Sequence, residues 1–560
     1  MIYYGKTLFG SGPKLTAVHK DSLKKTGIEP ILRAFQGSFC DRLPIFSLIM
    51  SPMAVYLSFI RLVALLGIVI AGLFGCAAGP DFKEPPAPKV SRYTEKPIPT
   101  TLATAPDVPG GTQQELEENG DIPAQWWTLY KSPELEALIQ KALEQNPTLG
   151  AADAALRSAQ QNLYAQIGGQ YFPAFSLNGS GSRQQVPPAA YGQTGPTSIY
   201  NLYNANVGVT YKLDVFGGAR RTVESARAQA EYQQYQLEGA YLSLTSNIVT
   251  SAVKEAALEA QLKATQEILD SQKKQAAITE KQLIIGTASK IDVSSQETLV
   301  STSEVDLINY EKNLSIIRNQ LAVYVGEQPS SANIAAFNLS TLNLPEKIPL
   351  SLPSSLVRQR PDVKAAEANL KSTNALVGVA TANLLPQFNI TGAIGTEALT
   401  AGALFGPSAA LWSVGGAVFQ PLFQGGQLIA QRRGAVANYE QAVYQYQATV
   451  LSAFQQVADA LKALETGARA LRSASNAERY AYETLKLSEI QYKLGTTSYF
   501  QVLYYQTQYQ QAKIKSIQAQ ANRFADTAAL FAALGGGWWN RTEPAFQPKA
   551  NVNENQNDTP

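Results

Sequence analysis

The chain is nearly empty of the side chains that carry most metal and nucleophile chemistry. Its only histidine is His19, its three methionines (Met1, Met50, Met53) lie in the first 53 residues, and its two cysteines are Cys40 and Cys76. Beyond Met53, Cys76 alone remains of the three types. Imidazole and thiolate supply most protein metal sites and most nucleophile and base pairs. A zinc enzyme, a cysteine protease and a Ser-His-Asp hydrolase are therefore set aside. Only carboxylate chemistry is left for an enzyme, and no raised-pKa acid beside a base can be placed. No catalytic residue, metal or cofactor is expected, and the two cysteines make no disulfide framework. Charge is scarce too: a net +2 with 16% charged residues offers no basic face for nucleic acid and no acidic tail.

Proline is missing between Pro196 and Pro329 and again between Pro421 and Pro544, where Ala, Gln, Glu, Leu and Lys dominate. Good helix formers without breakers over such lengths predict helices longer than a globular core needs. The stretch from Gly217 to Leu283, at about 1.5 Å per residue, is a rod of roughly 100 Å. Ile248, Ala252, Ala256 and Leu258 keep a helical spacing with small residues prominent, as close helix packing requires. Each rod runs into nearly the same loop, "QLIIGTASKIDV" at 282–293 and "QYKLGTTSYFQV" at 491–502. Gly286 and Gly495 stop the helix there, so the loops read as the tips of two long antiparallel helix pairs.

Three further landmarks recur in the same order with a period of roughly 210 residues, far longer than a solenoid repeat. "NPTLGAADAALRSAQ" pairs with "RPDVKAAEANLKSTN", "YFPAFSLNGSG" with "LLPQFNITGAIG", and "LDVFGGARR" with "QPLFQGGQL". The chain is a duplicated half: residues 126–345 and then 346–540, each a helix, two strands and a long helical hairpin. The strands sit after Pro173 and Pro386 and before the "FGG" and "FQGG" turns. In the clearest, Ala205, Val207, Val209, Tyr211, Leu213 and Val215 point one way and Asn204, Asn206, Gly208, Thr210, Lys212 and Asp214 the other. "FSLNGSG" and "QFNIT" repeat the alternation, and "LWSVGGAVF", with interior glycine, completes a set of four. Four strands cannot close a membrane barrel, since the smallest need about eight. Copies of the chain must close it; two give eight strands and three give twelve, the wider barrel leaving a polar, water-filled lumen.

At the N-terminus, "MAVYLSFIRLVALLGIVIAGLFGC" has a basic residue, an apolar run and small residues before Cys76, the shape of a secretory signal over 53–75. A single transmembrane helix is the alternative. Residues 1–52 read as an over-long N-terminal extension. Residues 76–125, rich in proline and threonine, read as an extended tether, and 541–560 as a disordered polar tail.

As an ordered set over about residues 76–540, "GPDFKEPPAP", "WWTLYKSPELEALIQKALEQNPTL", "LDVFGGARR", "RPDVKAAEANL", "LLPQFNITGAIG", "LFQGGQ" and "YKLGTTSYFQVL" resemble the outer-membrane efflux proteins of the TolC type. The lipidated NodT/OprM-like branch, which serves tripartite resistance-nodulation-division pumps, is the most similar. "LFGC" resembles a lipobox, which makes Cys76 the lipidated first residue of a mature protein; Ala77 after it, rather than aspartate, implies the outer membrane. The resemblance implies a mixed α and β membrane protein. Its homotrimer forms a twelve-stranded outer-membrane β-barrel, four strands per chain, continued by a periplasmic α-helical barrel. It implies a passive exit duct for small amphipathic drugs, dyes or solvents, with no enzymatic activity. Its partners are outer-membrane lipids, a periplasmic adaptor (membrane fusion) protein and an inner-membrane pump.

The resemblance places a closable constriction at the tips. By position it falls on Phe500 and Tyr504, with Gln501 and Asp292 at sites that are often acidic. Tyr492 matches a tyrosine that ties the second hairpin to its neighbours, and Thr497 stands where relatives carry an arginine. Gly286, Thr287, Gly495 and Thr496 are the tip residues for adaptor contact. An aromatic closure, acting by apolar contact and dewetting, replaces an ionic one. The blander readings are that Phe500 and Tyr504 pack within the hairpin and that Asp292 is a solvated tip charge. Arg220 and Arg221 are expected as solvated or helix-start charges, Trp126 and Trp127 as packing for the first helix, and Trp538 and Trp539 as part of a belt around the helices. A duct for type I protein secretion is the nearest alternative function. A periplasmic coiled-coil lipoprotein would explain the helices but not the strands.

Overall fold

The computed structural model describes residues 77–546 except 91, 107, 119, 193, 352 and 544. The N-terminal extension, the signal, Cys76 and the tail beyond 546 lie outside the described residues. Helix α1 (Pro133–Gln145) starts at Ser132, whose hydroxyl accepts from the Leu135 N–H. Asn146 does the same for α2 (Pro147–Tyr171), accepting from Thr148 and Leu149. Each helix has proline in its first turn, where the missing N–H costs nothing. Strand β2 (Ala174–Val186) begins directly after Pro173 and returns as β3 (Ser198–Leu213). Gly217, at φ +76°, then turns the chain into α3 (Gly218–Ile284). The Asp214 carboxylate accepts from the Ala219 and Arg220 N–H groups, placing a negative charge at that helix N-terminus.

The second half repeats the plan. The first hairpin is completed by α4 (Lys290–Tyr324); after the short α5 (Pro353–Gln359) come α6 (Pro361–Ala382), β5 (Gln387–Ala398), β6 (Ala410–Phe419), α7 (Gln427–Lys493) and α8 (Tyr499–Ala533). The long helices α3 and α7 both have 67 residues, and their returning partners α4 and α8 both have 35. Each hairpin thus has the same arm lengths, and α8 of the second lies along α3 of the first.

Strands β2, β3, β5 and β6 form one antiparallel sheet in that order. Its register stacks like on like. Leu177, Val207, Ile394 and Trp412 form one cross-strand row, and Ser176, Gly208, Ala393 and Ser413 the next, on the opposite face. A slip of one residue would mix the two faces, so the alternation fixes the pairing. Val215, expected on the apolar face, lies beyond the end of β3. A parallel pair of short strands, β1 (Glu115–Glu118) and β4 (Lys347–Leu350), was not foreseen. It sews the N-terminal segment to the connector between the halves.

Residues 77–125, expected as an extended tether, are instead packed onto the fold. Leu102, Ala105, Leu116 and Ile122 are buried, and Tyr93 donates to the Ser351 carbonyl at 2.9 Å. Both arginines lie in the first turn of α3, as helix-start charges, but Arg221 is not solvated. Arg221 is only 4% exposed: it pairs with Glu224 at 2.7 Å and with Asp81, and its Nε donates to the Ala78 carbonyl. Arg220 bonds Asp214 at 3.2 Å. At the C-terminus the described part of the expected tail is also packed. Arg541 makes two 2.6 Å contacts to the Glu238 carboxylate and lies over the Tyr241 ring.

Around the C-terminal end of α8 the core is an aromatic belt. Trp126 is fully buried against Phe531, Trp127 and Tyr130, and the Tyr130 hydroxyl donates to the Phe524 carbonyl at 2.9 Å. Trp538 donates its indole N–H to the Gln359 carbonyl and packs on Tyr235, while Trp539 donates to Asp121. These four tryptophans all pack or hydrogen-bond within the fold.

The belt also holds an uneasy carboxylate. Burial pushes Asp526 up to about 6, against the pull of Arg523, and lowers Arg523 itself to about 10. A raised acid pKa means the folded chain holds that proton more tightly than the unfolded one. Its stabilisation is full below about pH 4 and is lost as pH rises through about 6. Asp526→Asn should therefore melt at a higher temperature than the native chain at pH 8, with the difference shrinking at pH 4, as followed by circular dichroism.

Candidate functional site at the hairpin tips

Both tips are built by one device. At the first, Gly286 takes φ +80°, its N–H bonds the Leu283 carbonyl at 3.0 Å, and the Thr287 N–H reaches back to Gln282 at 2.8 Å. At the second, Gly495 takes φ +74°, its N–H bonds Tyr492, and the Thr496 N–H reaches Gln491, both at 3.0 Å. This pair of bonds is the Schellman helix stop, and a side chain at either glycine would be strained in the left-handed region. Each threonine hydroxyl donates to the same carbonyl as its own N–H. The repeated "GT" is thus a repeated helix terminator.

The tips differ in how the next helix begins. Ser289 accepts from the Asp292 N–H, while Asp292 accepts from the Ser289 N–H at 2.8 Å and hydroxyl at 2.7 Å. Asp292 is therefore committed to a capping box, a role that the Ser-x-x-Asp spacing itself announces. At the second tip Ser498 makes no such bond, and the matching position is Gln501, half-buried.

The aromatic residues divide by helical phase. Tyr499 points inward, 6% exposed, with its ring 5.3 Å from that of Tyr492. Phe500 is 70% exposed and Tyr504 50% exposed in the protomer, the Tyr504 ring lying edge-on to that of Tyr505 at 5.5 Å. Four residues apart, they share one face of α8. Thr497 is half-buried beside them. Exposed Ile284, Ile285 and Leu494 give both tips an apolar surface.

At the other end the sheet leaves β2 and β6 as its two edges. Phe175, Leu177, Ile394, Trp412, Val414 and Val418 are exposed. Among the described residues no helix is long and apolar enough to cross a membrane. An amphipathic sheet carried on helical hairpins whose 67-residue arms run roughly 100 Å, with aromatic side chains at their far tips, is the architecture of a membrane-channel subunit.

Comparison with known proteins agrees. The family model described as "Outer membrane efflux protein" matches residues 138–327 and 352–536, one span in each half. The chain belongs to the outer membrane efflux protein family. It is similar to the toluene efflux pump outer membrane protein TtgC of Pseudomonas putida, with 29% identity over 476 residues, 85% of this chain and 95% of the relative. It is 28% identical to the pyoverdine export outer membrane protein OpmQ of Pseudomonas aeruginosa over 418 residues, 74% of this chain and 87% of that one. Among solved structures, the open state of the Neisseria gonorrhoeae MtrE outer membrane channel superposes with a TM-score of 0.70 at 25% identity, covering 84% of this chain and all of that one.

Proposed function

We propose that three copies of the chain close their sheets into one twelve-stranded barrel in the outer membrane and their hairpins into a helical tube beneath it. The tube is a passive exit duct for small, largely apolar compounds. The observation that carries this is the sheet itself: four strands, apolar on one face and polar on the other, with both edges open. Open edges recruit further strands, and closure alone removes them. The apolar rows then face lipid, while Ser176, Asn178 and Thr391 line the water-filled side.

The constriction falls at Phe500 and Tyr504, whose exposure in the single protomer supports a lumen-facing position. Gln501 and Thr497 leave that ring without the charges of an ionic closure, and Asp292 serves its helix cap. Tyr492 supports the turn by packing on Tyr499. The tips around Gly286, Thr287, Gly495 and Thr496 present the apolar surface to a periplasmic adaptor, which joins the duct to an inner-membrane pump of the resistance-nodulation-division type. Lipidation at Cys76 would anchor the segment that Arg221 clamps through Asp81 and the Ala78 carbonyl. TtgC, named for toluene, supports apolar cargo, whereas OpmQ, named for pyoverdine, widens the range the fold accommodates.

The test compares cells lacking the gene with cells carrying it for accumulation of a panel of apolar dyes and antibiotics, with secreted proteins followed in parallel. Accumulation should rise without the gene and fall when it is restored. Normal accumulation with one secreted protein missing would replace this reading with protein secretion.

A further inference from the structure

We propose that a cavity in the helical wall is a transit subsite for organic monocations with an apolar body; this rests on the reading of the chain as an exit duct. The cavity, about 670 Å³, lies where α8 ends and α6 begins, with α3 on one side and α7 on the other. Its volume is that of a pocket for a drug-sized ligand. Ala529, Ala532 and Ala533 of α8 form one wall, and Phe531 of the same turn points the other way, into the belt against Trp126. The cavity therefore opens on the face away from the belt. In a tube whose outside carries the belt and the chain segments packed on it, that face is the lumen.

The internal repeat provides the control. In the first half, Asn146 stands just before α2 and donates its amide to the carbonyl of Tyr324, the last residue of α4, at 2.8 Å. In the second, Arg360 stands just before α6 and donates to the carbonyl of Ala533, the last residue of α8, at 2.7 Å. Counting back from these matched ends, Gln320, Val323 and Tyr324 occupy the positions of the three alanines. Both joints stack their helices by the same bond, but only the second has small residues along its wall. Helix stacking alone does not call for that space.

The polar walls choose the charge. Arg360 is 6% exposed and its guanidinium is fully engaged, with Asp362 accepting at 3.0 and 2.6 Å and Gln456 at 2.8 Å. Asp362 is neutralised in the same contact. Asp459, on the α7 wall, has no cation within ion-pair reach among the described residues and accepts a long 3.4 Å bond from the Gln455 amide. One uncompensated carboxylate remains, so the wall favours a single positive charge. On the α3 wall, Ser246 keeps a buried hydroxyl with no hydrogen-bond partner among the described residues, and a hydroxyl rotates to donate or accept. Leu242, Pro361 and Ala463 add apolar surface for the body of the ligand. An accessible ion pair contributes little, which suits a duct, because a subsite on a conduction path must release what it binds.

The experiment is a fluorescence titration of the purified full chain in lipid nanodiscs, with empty nanodiscs as the blank. The probes are ethidium, a planar monocation, and N-phenylnaphthylamine, an uncharged aromatic amine. The native chain should bind ethidium saturably. Asp459→Asn should weaken ethidium about fivefold, the scale of one accessible ion pair, and leave the uncharged probe unchanged. Ala529→Gln with Ala532→Val, which restores the side chains of the first half, should weaken both probes, and all variants should keep the native assembly size on native gels. Ethidium binding that neither variant alters, or none above the blank, overturns the subsite. Equal weakening of both probes by Asp459→Asn overturns its preference for cations. Accumulation in cells lacking the gene judges the duct separately: if it is normal, the duct reading falls and the transit role with it, whereas a working duct without ethidium binding rejects the subsite alone.

Discussion

Replacing Phe500 and Tyr504 together with alanine is expected to open the outer membrane to large antibiotics that the native cell excludes. Both side chains are exposed on one face of α8 in the single protomer. Around a three-fold axis they would meet their counterparts and narrow the tube to a dry, apolar ring. Such a ring closes by expelling water rather than by a charge pair, so its tightness depends on bulk. Alanine removes the rings without touching the helix stop at Gly495 or the packing of Tyr499. Uptake of a large glycopeptide, read as a lowered inhibitory concentration, should rise severalfold while the amount of assembled protein stays constant. Unchanged exclusion would sink the aromatic closure.

The second large effect is on stability, and it comes from the other end of the hairpins. Trp126→Ala would leave a hole in a belt where the indole touches Phe531, Trp127 and Tyr130 and is fully buried. Large aromatic truncations in cores cost about 3–5 kcal/mol, through lost transfer energy and the cavity left behind. Here the loss also frees the N-terminal segment, because Trp126 follows Ile122 and the segment pinned by β1. The heat-denaturation midpoint of the purified protein should drop sharply, and less of it should reach the membrane. Residual channels should remain closed. The two substitutions therefore separate: one leaks without unfolding, the other unfolds without leaking. A Trp126→Ala protein as heat-resistant as native would show that the belt does not hold the helices together.

Much of this architecture was legible in the sequence because its signals are periodic. Alternation over Ala205–Leu213 specifies both faces of β3, and the absence of proline specifies helices whose observed start at Gly218 lies one residue from the expected one. The "GT" loops announce their own backbone conformation. Other features were hidden because they depend on long-range contact. Nothing around Arg221 says that residues 78 and 81 will fold over it; its charge alone suggests a solvated start to a helix. The segment from 77 to 125 holds few apolar residues, yet Leu102, Leu116 and Ile122 suffice to fasten it when β4 offers a partner strand. Val215 continued the alternation on paper, but Gly217 had already begun the turn. At the tips the sequence shows Tyr499 and Phe500 as neighbouring aromatics, and only the phase of α8 assigns one to the interior and the other to the exposed face. Asp292 was the avoidable ambiguity, since Ser-x-x-Asp at a helix start is itself a cap signal.

The most direct test of the whole account is the mass of the purified, detergent-solubilised assembly by native mass spectrometry. The account requires three copies of the chain, the number that turns a four-stranded sheet into a closed twelve-stranded barrel with a water-filled lumen. A stable monomer or dimer that still carries compounds across the outer membrane would contradict it.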